Sequence, residues 1–276
     1  MGELSQRVTS GALVAALLVL PCAVHGQELK FPDKVTTLGF FSPLKMAIYK
    51  PNGKGPFPAV VLAHTCGGLS QHIRNWSKEA LRRGYVVFVV DSVGPGGGEG
   101  CLSVSVYPGL RDVLGSLEHL SKVDVVDVER VAILGFSWGG IVALLASSPL
   151  AAASYSMETR RFAAAVAFYP ECVDRGGDAY LRPDVDRPLL VLMAEWDNET
   201  PPADCIPRLE RLKERGAPVE WHVYPEATHA WDKAENDGHS KQHWRGRVTY
   251  RYSKAATEDS VKRAFDFLAK HLSRTQ

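Results

Sequence analysis

A serine lies at the centre of the pentapeptide GFSWG, at positions 135–139. The pentapeptide follows a short apolar run at 131–134, which is a predicted strand, and precedes an apolar stretch that is a predicted helix. G-x-S-x-G in this setting is typical of a sharp turn that lifts a serine hydroxyl above a sheet. A side chain at either glycine would collide with the neighbouring chain, and the helix N-terminus would face developing negative charge. We therefore predict that Ser137 is a nucleophile. The alternative is a glycine-rich connection with an incidental serine.

A serine hydroxyl is a weak nucleophile and needs a positioned base. His229 lies in a loop directly after the last predicted strand, 219–224, where the base is expected when a serine occupies such a strand-to-helix turn. His239 and His243, in a polar loop, are the rival candidates. Three other histidines fall on predicted helices and are expected at the surface: His72, His119 and His271.

The acid that orients this base should follow a strand between the serine and the histidine in the chain. Asp197 satisfies this order, because it comes just after the predicted strand at 189–193. We predict that it holds the imidazole tautomer and stabilises the imidazolium. Three nearby carboxylates compete with it: Glu195, which could instead close the strand end, Glu199 and Asp204.

A second backbone donor is expected in the loop HTCGG at 64–68, which follows the apolar run 59–63. A glycine-containing loop at this point usually supplies an N–H group to the tetrahedral oxyanion. We assign the backbone N–H groups of Cys66 and Trp138 to this task. His64 is expected to brace the loop rather than to react. Cys66 as the nucleophile is the weaker alternative to Ser137, because it lacks a strand-to-helix turn.

These candidates follow strands in a chain whose strands and helices alternate, which predicts an α/β fold with a mostly parallel sheet covered by helices on both faces. Reactive groups in such sheets gather at the carboxyl ends of the strands. The predicted strands are 44–49, 59–63, 85–90, 131–134, 162–169, 189–193 and 219–224. The predicted helices are 71–83, 110–120, 139–147, 207–215 and 255–272.

The chain has 276 residues, 45% of them hydrophobic, and a formal net charge of +1. This length suffices for one large α/β domain or two small ones. The balanced charge gives no support for a nucleic-acid partner, which needs a concentrated basic face. The densest cationic group, Arg245, Arg247 and Arg251, is interpreted as a solvated loop.

Residues 1–26 have a short apolar core followed by small residues, the pattern of a secretory signal peptide. We expect cleavage after Gly26, a single domain over 27–276, an exported protein and no stable membrane insertion after cleavage. An uncleaved anchor is the alternative, because Glu3 weakens the positive N-terminal region.

Cleavage would leave an even number of cysteines, Cys66, Cys101, Cys172 and Cys205, which suggests two disulfides in an oxidising compartment. Three pairings are compatible with the sequence, and the order of the elements favours Cys66–Cys101 and Cys172–Cys205. Four reduced, buried thiols are the alternative, whereas a metal site is disfavoured because the chain has no CxxC pair.

From about residue 35 to its C-terminus the chain resembles the dienelactone hydrolase family of α/β-hydrolases. The matching segments are HTCGG (64–68), DSVGP (91–95), 130–140, FYP (168–170), EWD (195–197), 224–232 and the last helix. The resemblance implies an eight-stranded sheet, no metal and no organic cofactor, with Ser137, Asp197 and His229 as nucleophile, acid and base. The founding members of the family look like cysteine enzymes at the elbow position. Serine here fits general esterase chemistry and argues against a dienelactone substrate.

The sequence thus predicts a serine hydrolase that cleaves a small-molecule ester or lactone through an acyl-enzyme. One alternative is a serine peptidase of the prolyl-oligopeptidase type, which shares the triad order but usually carries a large second domain. The other is a catalytically silent hydrolase fold that binds a ligand. The sequence leaves the substrate and the oligomeric state open.

Overall fold

The computed structural model describes residues 36–41, 46–93, 105–155 and 160–273. The strands are β1 (Thr36–Phe41), β2 (Met46–Lys50), β3 (Phe57–Ala63), β4 (Val86–Val90), β5 (Val126–Phe136), β6 (Ala164–Phe168), β7 (Leu189–Ala194), β8 (Val219–Tyr224), β9 (Ser240–His243) and β10 (Gly246–Thr249). The helices are α1 (Gln71–Arg82), α2 (Tyr107–Leu120), α3 (Trp138–Ala146), α4 (Pro149–Tyr155), α5 (Pro202–Glu214) and α6 (Lys254–Leu272), with a 3₁₀ turn at Ala234–Asn236.

Eight strands form one sheet in the order β1-β2-β4-β3-β5-β6-β7-β8. Strand β2 pairs antiparallel with both of its neighbours, and the pairs from β4 to β8 are all parallel. The sequence prediction of a mostly parallel eight-stranded sheet is confirmed. The central strands are continuous apolar runs, such as VVFVV in β4, because helices bury both of their faces.

The alternation of side chains along each strand divides the core into two layers. Val61 and Phe88 pack on one face of the sheet, with residues of α2, α3 and α5. Val60 and Val87 pack on the other face, with residues of α1 and α6. Successive residues of a strand point to opposite faces, so a single apolar run contributes to both layers.

Some element boundaries differ from those predicted. β5 begins at Val126 rather than at residue 131, because the mixed segment VDVER continues the strand although it lacks an apolar run. α5 begins at Pro202, so Pro207 lies inside the helix instead of starting it. The proline at the first helical position is Pro202, where a missing N–H costs no hydrogen bond. The sequence patterns do not predict β1, α4 or the pair β9–β10.

Strands β9 and β10 form a separate antiparallel hairpin between the predicted base and the last helix. Trp244 and Arg245 form its turn, and Gly246 then adopts a φ of 116°, which favours glycine. Its strands carry mostly polar residues, SKQH and GRVT, so the sequence shows no clear alternation there. The hairpin contacts the loop after β7, and this contact shapes the site described below.

Cys172 and Cys205 form a disulfide whose two residues are both fully buried. This predicted pairing is confirmed. It joins the segment after β6 to helix α5. Cys101 and the predicted signal peptide at 1–26 lie outside the described residues, so the Cys66–Cys101 pairing and the cleavage site stay predictions.

Across the described ranges, no single helix is long and apolar enough to cross a membrane. The bent pair α3–α4 meets the length and composition criteria together, but every residue of α3 is buried in the core.

Removing the Cys172–Cys205 disulfide should destabilise the fold. The two cysteines are 33 residues apart in the sequence, and closing a loop of this length lowers the entropy of the unfolded chain. We expect the double variant Cys172→Ala/Cys205→Ala to lose about 2–4 kcal/mol of unfolding free energy in urea titrations. Peptide mapping without reductant provides the control for the bond in the parent protein. Equal urea midpoints would contradict the prediction.

Candidate active site

Ser137 occupies a tight turn between β5 and α3, with φ of 53° and ψ of −111°. A residue other than glycine is strained at such a positive φ, so contacts with the surrounding structure must hold Ser137 in this conformation. The Ser137 N–H donates to the Phe168 carbonyl at 2.9 Å, and the Gly139 N–H donates to the His64 carbonyl at 3.1 Å. The turn is therefore tied to the ends of β6 and β3.

The two glycines of the pentapeptide are required by close backbone contacts. A Cβ at Gly135 would lie 2.0 Å from the Gly139 carbonyl oxygen. A Cβ at Gly139 would lie 2.1 Å from the Ala63 carbonyl oxygen. Both distances are far below van der Waals contact, as expected from the sequence, so this turn admits glycine alone at these positions.

The structure brings the three predicted residues together in one hydrogen-bonded line. The Ser137 hydroxyl lies 3.0 Å from His229 Nε2, and His229 Nδ1 lies 2.7 Å from Asp197 Oδ2. With the proton on Nδ1, the imidazole donates to the carboxylate and accepts from the serine. All three residues are buried, and His229 and Asp197 are each 3% exposed. The geometry suits transfer of the serine proton to the imidazole.

Asp197 is held by further hydrogen bonds at the end of β7. Its Oδ1 accepts from the backbone N–H groups of Glu199 and Thr200 at 2.9 and 2.8 Å. Its Oδ2 accepts from the Thr200 hydroxyl at 2.8 Å in addition to the imidazole. These bonds satisfy a buried carboxylate and fix its orientation.

Two opposing effects set the basicity of His229. Burial lowers the pKa of its imidazole, but the negative charges of Asp197 and Glu199 outweigh burial, so the pKa lies above the ordinary value of 6.5. The imidazolium form is thereby stabilised, as a base that receives a proton requires.

His64 braces the loop after β3, as the sequence analysis expected. Its Nδ1–H donates to the Thr65 carbonyl at 2.6 Å, and its Nε2 accepts from the Ser92 N–H at 3.1 Å. Its ring stacks on Trp138 at 5.7 Å between centroids. Burial lowers the pKa of His64, which keeps the imidazole neutral for both bonds.

Cys66 and Trp138, the predicted oxyanion donors, both line the pocket beside Ser137. Cys66 is disulfide-bonded and therefore offers no thiol to act as a nucleophile. This removes the weaker alternative to Ser137. The assignment of the two backbone N–H groups stays a prediction.

The two rival histidines, His239 and His243, have partners other than the Ser137 hydroxyl. His243 lines the pocket and its pKa is lowered by burial, whereas His239 stacks on Tyr250 at 6.1 Å. Neither forms a hydrogen bond to Ser137. His229, in contrast, lies between Ser137 and a carboxylate.

The expectation that His72 lies at the surface is wrong. His72 is 1% exposed, and its Nε2 lies 2.7 Å from Asp232 Oδ2. Asp232 also accepts from Trp76 Nε1 at 3.0 Å and from the Tyr169 hydroxyl at 2.8 Å. The Tyr169 ring contacts the His229 ring at 4.8 Å between centroids, so this buried network packs against His229. The sequence held one indication of a buried partner for His72, namely a carboxylate, Asp232, three residues after His229.

A pocket of about 280 Å³ opens above Ser137. Its walls combine apolar side chains, such as Ile141, with a ring of charged and polar groups. These include Glu171, Asp174, Arg175, Glu199 and His243. Burial raises the pKa of the Glu171 carboxyl to about 7. No group of three or more His, Cys, Asp or Glu side chains in the described part of the chain is arranged to hold a metal ion.

The chain is similar to known proteins of one family. Residues 103–272 match the model of the dienelactone hydrolase family. A protein of Escherichia coli (strain K12), provisionally named carboxymethylenebutenolidase, is 27% identical over 225 residues, which cover 73% of this chain and 80% of that protein. The chain spans most of the length of this relative.

Solved structures show the same fold. A crystal structure from Klebsiella pneumoniae, provisionally described as a dienelactone hydrolase, superposes with a TM-score of 0.65 at 21% identity, covering 86% of this chain and 97% of that one. Esterase 2 of Thermogutta terrifontis, phosphorylated by paraoxon, superposes with a TM-score of 0.64 at 18% identity, covering 86% and 93%.

The close contacts at the Ser137 turn give a stability prediction. Gly139→Ala should destabilise the protein by about 3 kcal/mol or more, because its Cβ would meet backbone rather than a mobile side chain. Gly115→Ala, on the exposed face of α2 with nothing within 4 Å, is the matched control. It should stabilise the protein by about 0.5–1 kcal/mol through helix propensity. Similar urea midpoints for the two variants would show that the turn is not tight.

Proposed function

Because the chain belongs to the dienelactone hydrolase family, we propose that it is a serine esterase that hydrolyses small carboxylic esters or lactones. The observation that carries the proposal is the hydrogen-bonded line Ser137–His229–Asp197, with its distances of 3.0 and 2.7 Å. The line lies at the carboxyl end of the sheet and opens into the pocket.

The proposed reaction is acyl transfer in two halves. His229 Nε2 takes the proton as the Ser137 oxygen attacks the ester carbonyl, and Asp197 stabilises the imidazolium. The imidazolium then gives its proton to the leaving alkoxide, which leaves the acyl group on Ser137. Water, deprotonated by His229, attacks this acyl-enzyme and releases the acid and the serine hydroxyl.

The tetrahedral intermediate in each half carries an oxyanion, which the backbone N–H groups of Cys66 and Trp138 are proposed to bind. Trp138 is the first residue of α3, so its N–H belongs to the positive end of that helix. Each such donor contributes about 3 kcal/mol to the stability of the transition state. The reaction needs no metal and no organic cofactor in this scheme.

We also propose a localisation and a domain organisation for the protein. The pattern of residues 1–26 and the buried disulfide together support an exported protein with a single domain at 27–276. The pocket of about 280 Å³ suits a small ester better than a folded polypeptide. Hydrolysis of peptides but not of esters would favour a peptidase, and failure to react with a fluorophosphonate probe would favour a silent fold.

Replacing the nucleophile tests the proposal directly. Ser137→Ala should lower kcat/KM for p-nitrophenyl acetate by at least about 10⁴-fold, because no other group forms the acyl-enzyme. Ser121→Ala, at an exposed helix end, is the control and should leave the rate unchanged. Equal activity of Ser137→Ala and the parent protein would remove Ser137 as the nucleophile.

The pH dependence follows from the state of His229. The base must be neutral to accept a proton, so kcat/KM should rise with pH through a single ionisation. Because Asp197 and Glu199 raise the pKa of His229 against the effect of burial, the rise should lie above the ordinary histidine value of 6.5. Initial rates across the acid and neutral range provide the measurement. A flat profile would exclude His229 as the base.

A further inference from the structure

The imidazole of His229 lies between two carboxylates. Asp197 Oδ2 is 2.7 Å from Nδ1, on the side away from the serine. Glu199 Oε2 is 3.9 Å from Nε2, the nitrogen that also lies 3.0 Å from the Ser137 hydroxyl. The second carboxylate therefore stands on the side where the reaction takes place.

Two partners hold Glu199 in this position. Lys241 Nζ lies 2.7 Å from Oε1, and the Tyr250 hydroxyl donates to Oε2 at 2.8 Å. The Glu199 side chain is 9% exposed. Its burial opposes ionisation, but His229, Lys241 and Tyr250 outweigh that effect and lower the pKa of the carboxyl to about 2. Glu199 is thus a fixed negative charge throughout the range in which His229 titrates.

Both partners belong to the segment that carries the β9–β10 hairpin. The hairpin has one further contact with the loop after β7 and one with helix α5. Asn198 Nδ2 donates to the Arg247 carbonyl at 2.8 Å, and Arg245 forms an ion pair of 2.6 Å with Asp204. Because of these four contacts, the position of Glu199 is fixed by the packing of the hairpin segment and not by the conformation of its own side chain alone.

The electrostatic surroundings of the pair come from several elements. The loop after β7 contributes Asp197, and β9 contributes Lys241 and His243. Tyr250 directly follows β10. Tyr169, after β6, contacts the His229 ring, but its hydroxyl donates a hydrogen bond to Asp232. Lys241 opposes protonation of His229, whereas Asp197 and Glu199 favour it.

We propose that Glu199 is a positioning and specificity residue of this site: its carboxylate stabilises the His229 imidazolium from the Ser137 side and excludes substrates with a negative charge near the scissile carbonyl. The proposal rests on the esterase function proposed above. One fixed charge produces both effects.

The effect on the base follows from the distances. A carboxylate within about 4–6 Å of an imidazole favours its protonated form. Proton transfer from Ser137 creates that form, so Glu199 makes His229 a stronger base during attack on the ester. Its own charge does not change in the step, because its pKa of about 2 lies far below that of the base.

The effect on the substrate follows from the place of Glu199 in the pocket wall beside Ser137 and Thr200. An acyl group with its own carboxylate would bring like charges together in a partly dehydrated site, which is unfavourable. The name of the Escherichia coli relative describes a lactone with a carboxyl substituent. The substrate class inferred here is instead an uncharged or cationic small ester.

The first test compares pH profiles of kcat/KM for a neutral ester in three variants. Glu199→Gln removes the negative charge and keeps the shape of the side chain, so the rise of kcat/KM with pH should move to lower pH. At a pH below this rise, the variant should retain up to about tenfold more activity than the parent protein. Lys241→Gln removes a positive charge near His229, so the rise of kcat/KM should move to higher pH in this variant. Glu195→Gln makes the same charge change in an exposed side chain that accepts from the Glu226 N–H, and its profile should match that of the parent protein.

The second test compares a matched pair of substrates, p-nitrophenyl valerate and mono-p-nitrophenyl glutarate, at neutral pH. The parent protein should prefer the neutral ester by about 100-fold or more, and Glu199→Gln should narrow this preference by about tenfold. Glu195→Gln should keep the preference of the parent protein.

Opposite pH shifts in Glu199→Gln and Lys241→Gln support the proposal, because a purely structural defect would lower the plateau without moving the ionisation. An unshifted Glu199→Gln profile, shifts of the same sign in both variants or an unchanged substrate preference would overturn it. Ser137→Ala is run in parallel. If that variant kept its activity, the esterase proposal itself would fail, whereas an inactive Ser137→Ala with unshifted Glu199→Gln would refute the Glu199 role alone.

Discussion

The backbone turn at Ser137 holds the ends of neighbouring strands at fixed distances. Within it, one N–H group bonds to the carbonyl of Phe168 after β6, and another bonds to that of His64 after β3. Glycine at 135 and 139 lets the turn approach these strands to distances that no Cβ would permit. The turn fixes the position of the serine oxygen relative to the sheet. The loops that follow β3, β7 and β8 start at the same edge of the sheet, so residues of these loops lie close to this oxygen.

Buried charge is costly unless it is paired, and this protein pairs it in three adjoining groups. Asp197 is satisfied by His229, Thr200 and two backbone N–H groups. Glu199 is satisfied by Lys241 and Tyr250, and Asp232 by His72, Trp76 and Tyr169. The rings of Tyr169 and Tyr250 both contact His229, so each outer group borders this imidazole. His229 is therefore surrounded by hydrogen-bonded polar groups.

The chain belongs to the dienelactone hydrolase family, and its sheet has the fold of solved structures described as dienelactone hydrolases and esterases. Part of the pocket wall comes from outside this sheet. In the chain, the hairpin β9–β10 lies between His229 and α6, and it places Lys241 and His243 next to the pocket. The charge around Ser137 is therefore set in part by a segment outside the eight-stranded sheet. Substrate preference in such enzymes depends on these walls rather than on the sheet.

The sequence by itself determined the parallel sheet, most of its strands and the residues at their ends, because apolar runs and the G-x-S-x-G turn are local patterns with one main structural outcome. It predicted Val219–Tyr224 at its observed limits, and it ranked Asp197 and His229 first among the acids and bases. Only the tertiary structure decided that His72 faces Asp232, 160 residues away, and that Glu199 meets Lys241, 42 residues away. A polar residue carries no periodic signal of its partner, so its role is set when distant segments pack together. The polar hairpin was missed for the same reason, since its strands are defined by backbone pairing and by contact with the loop after β7 rather than by apolar alternation.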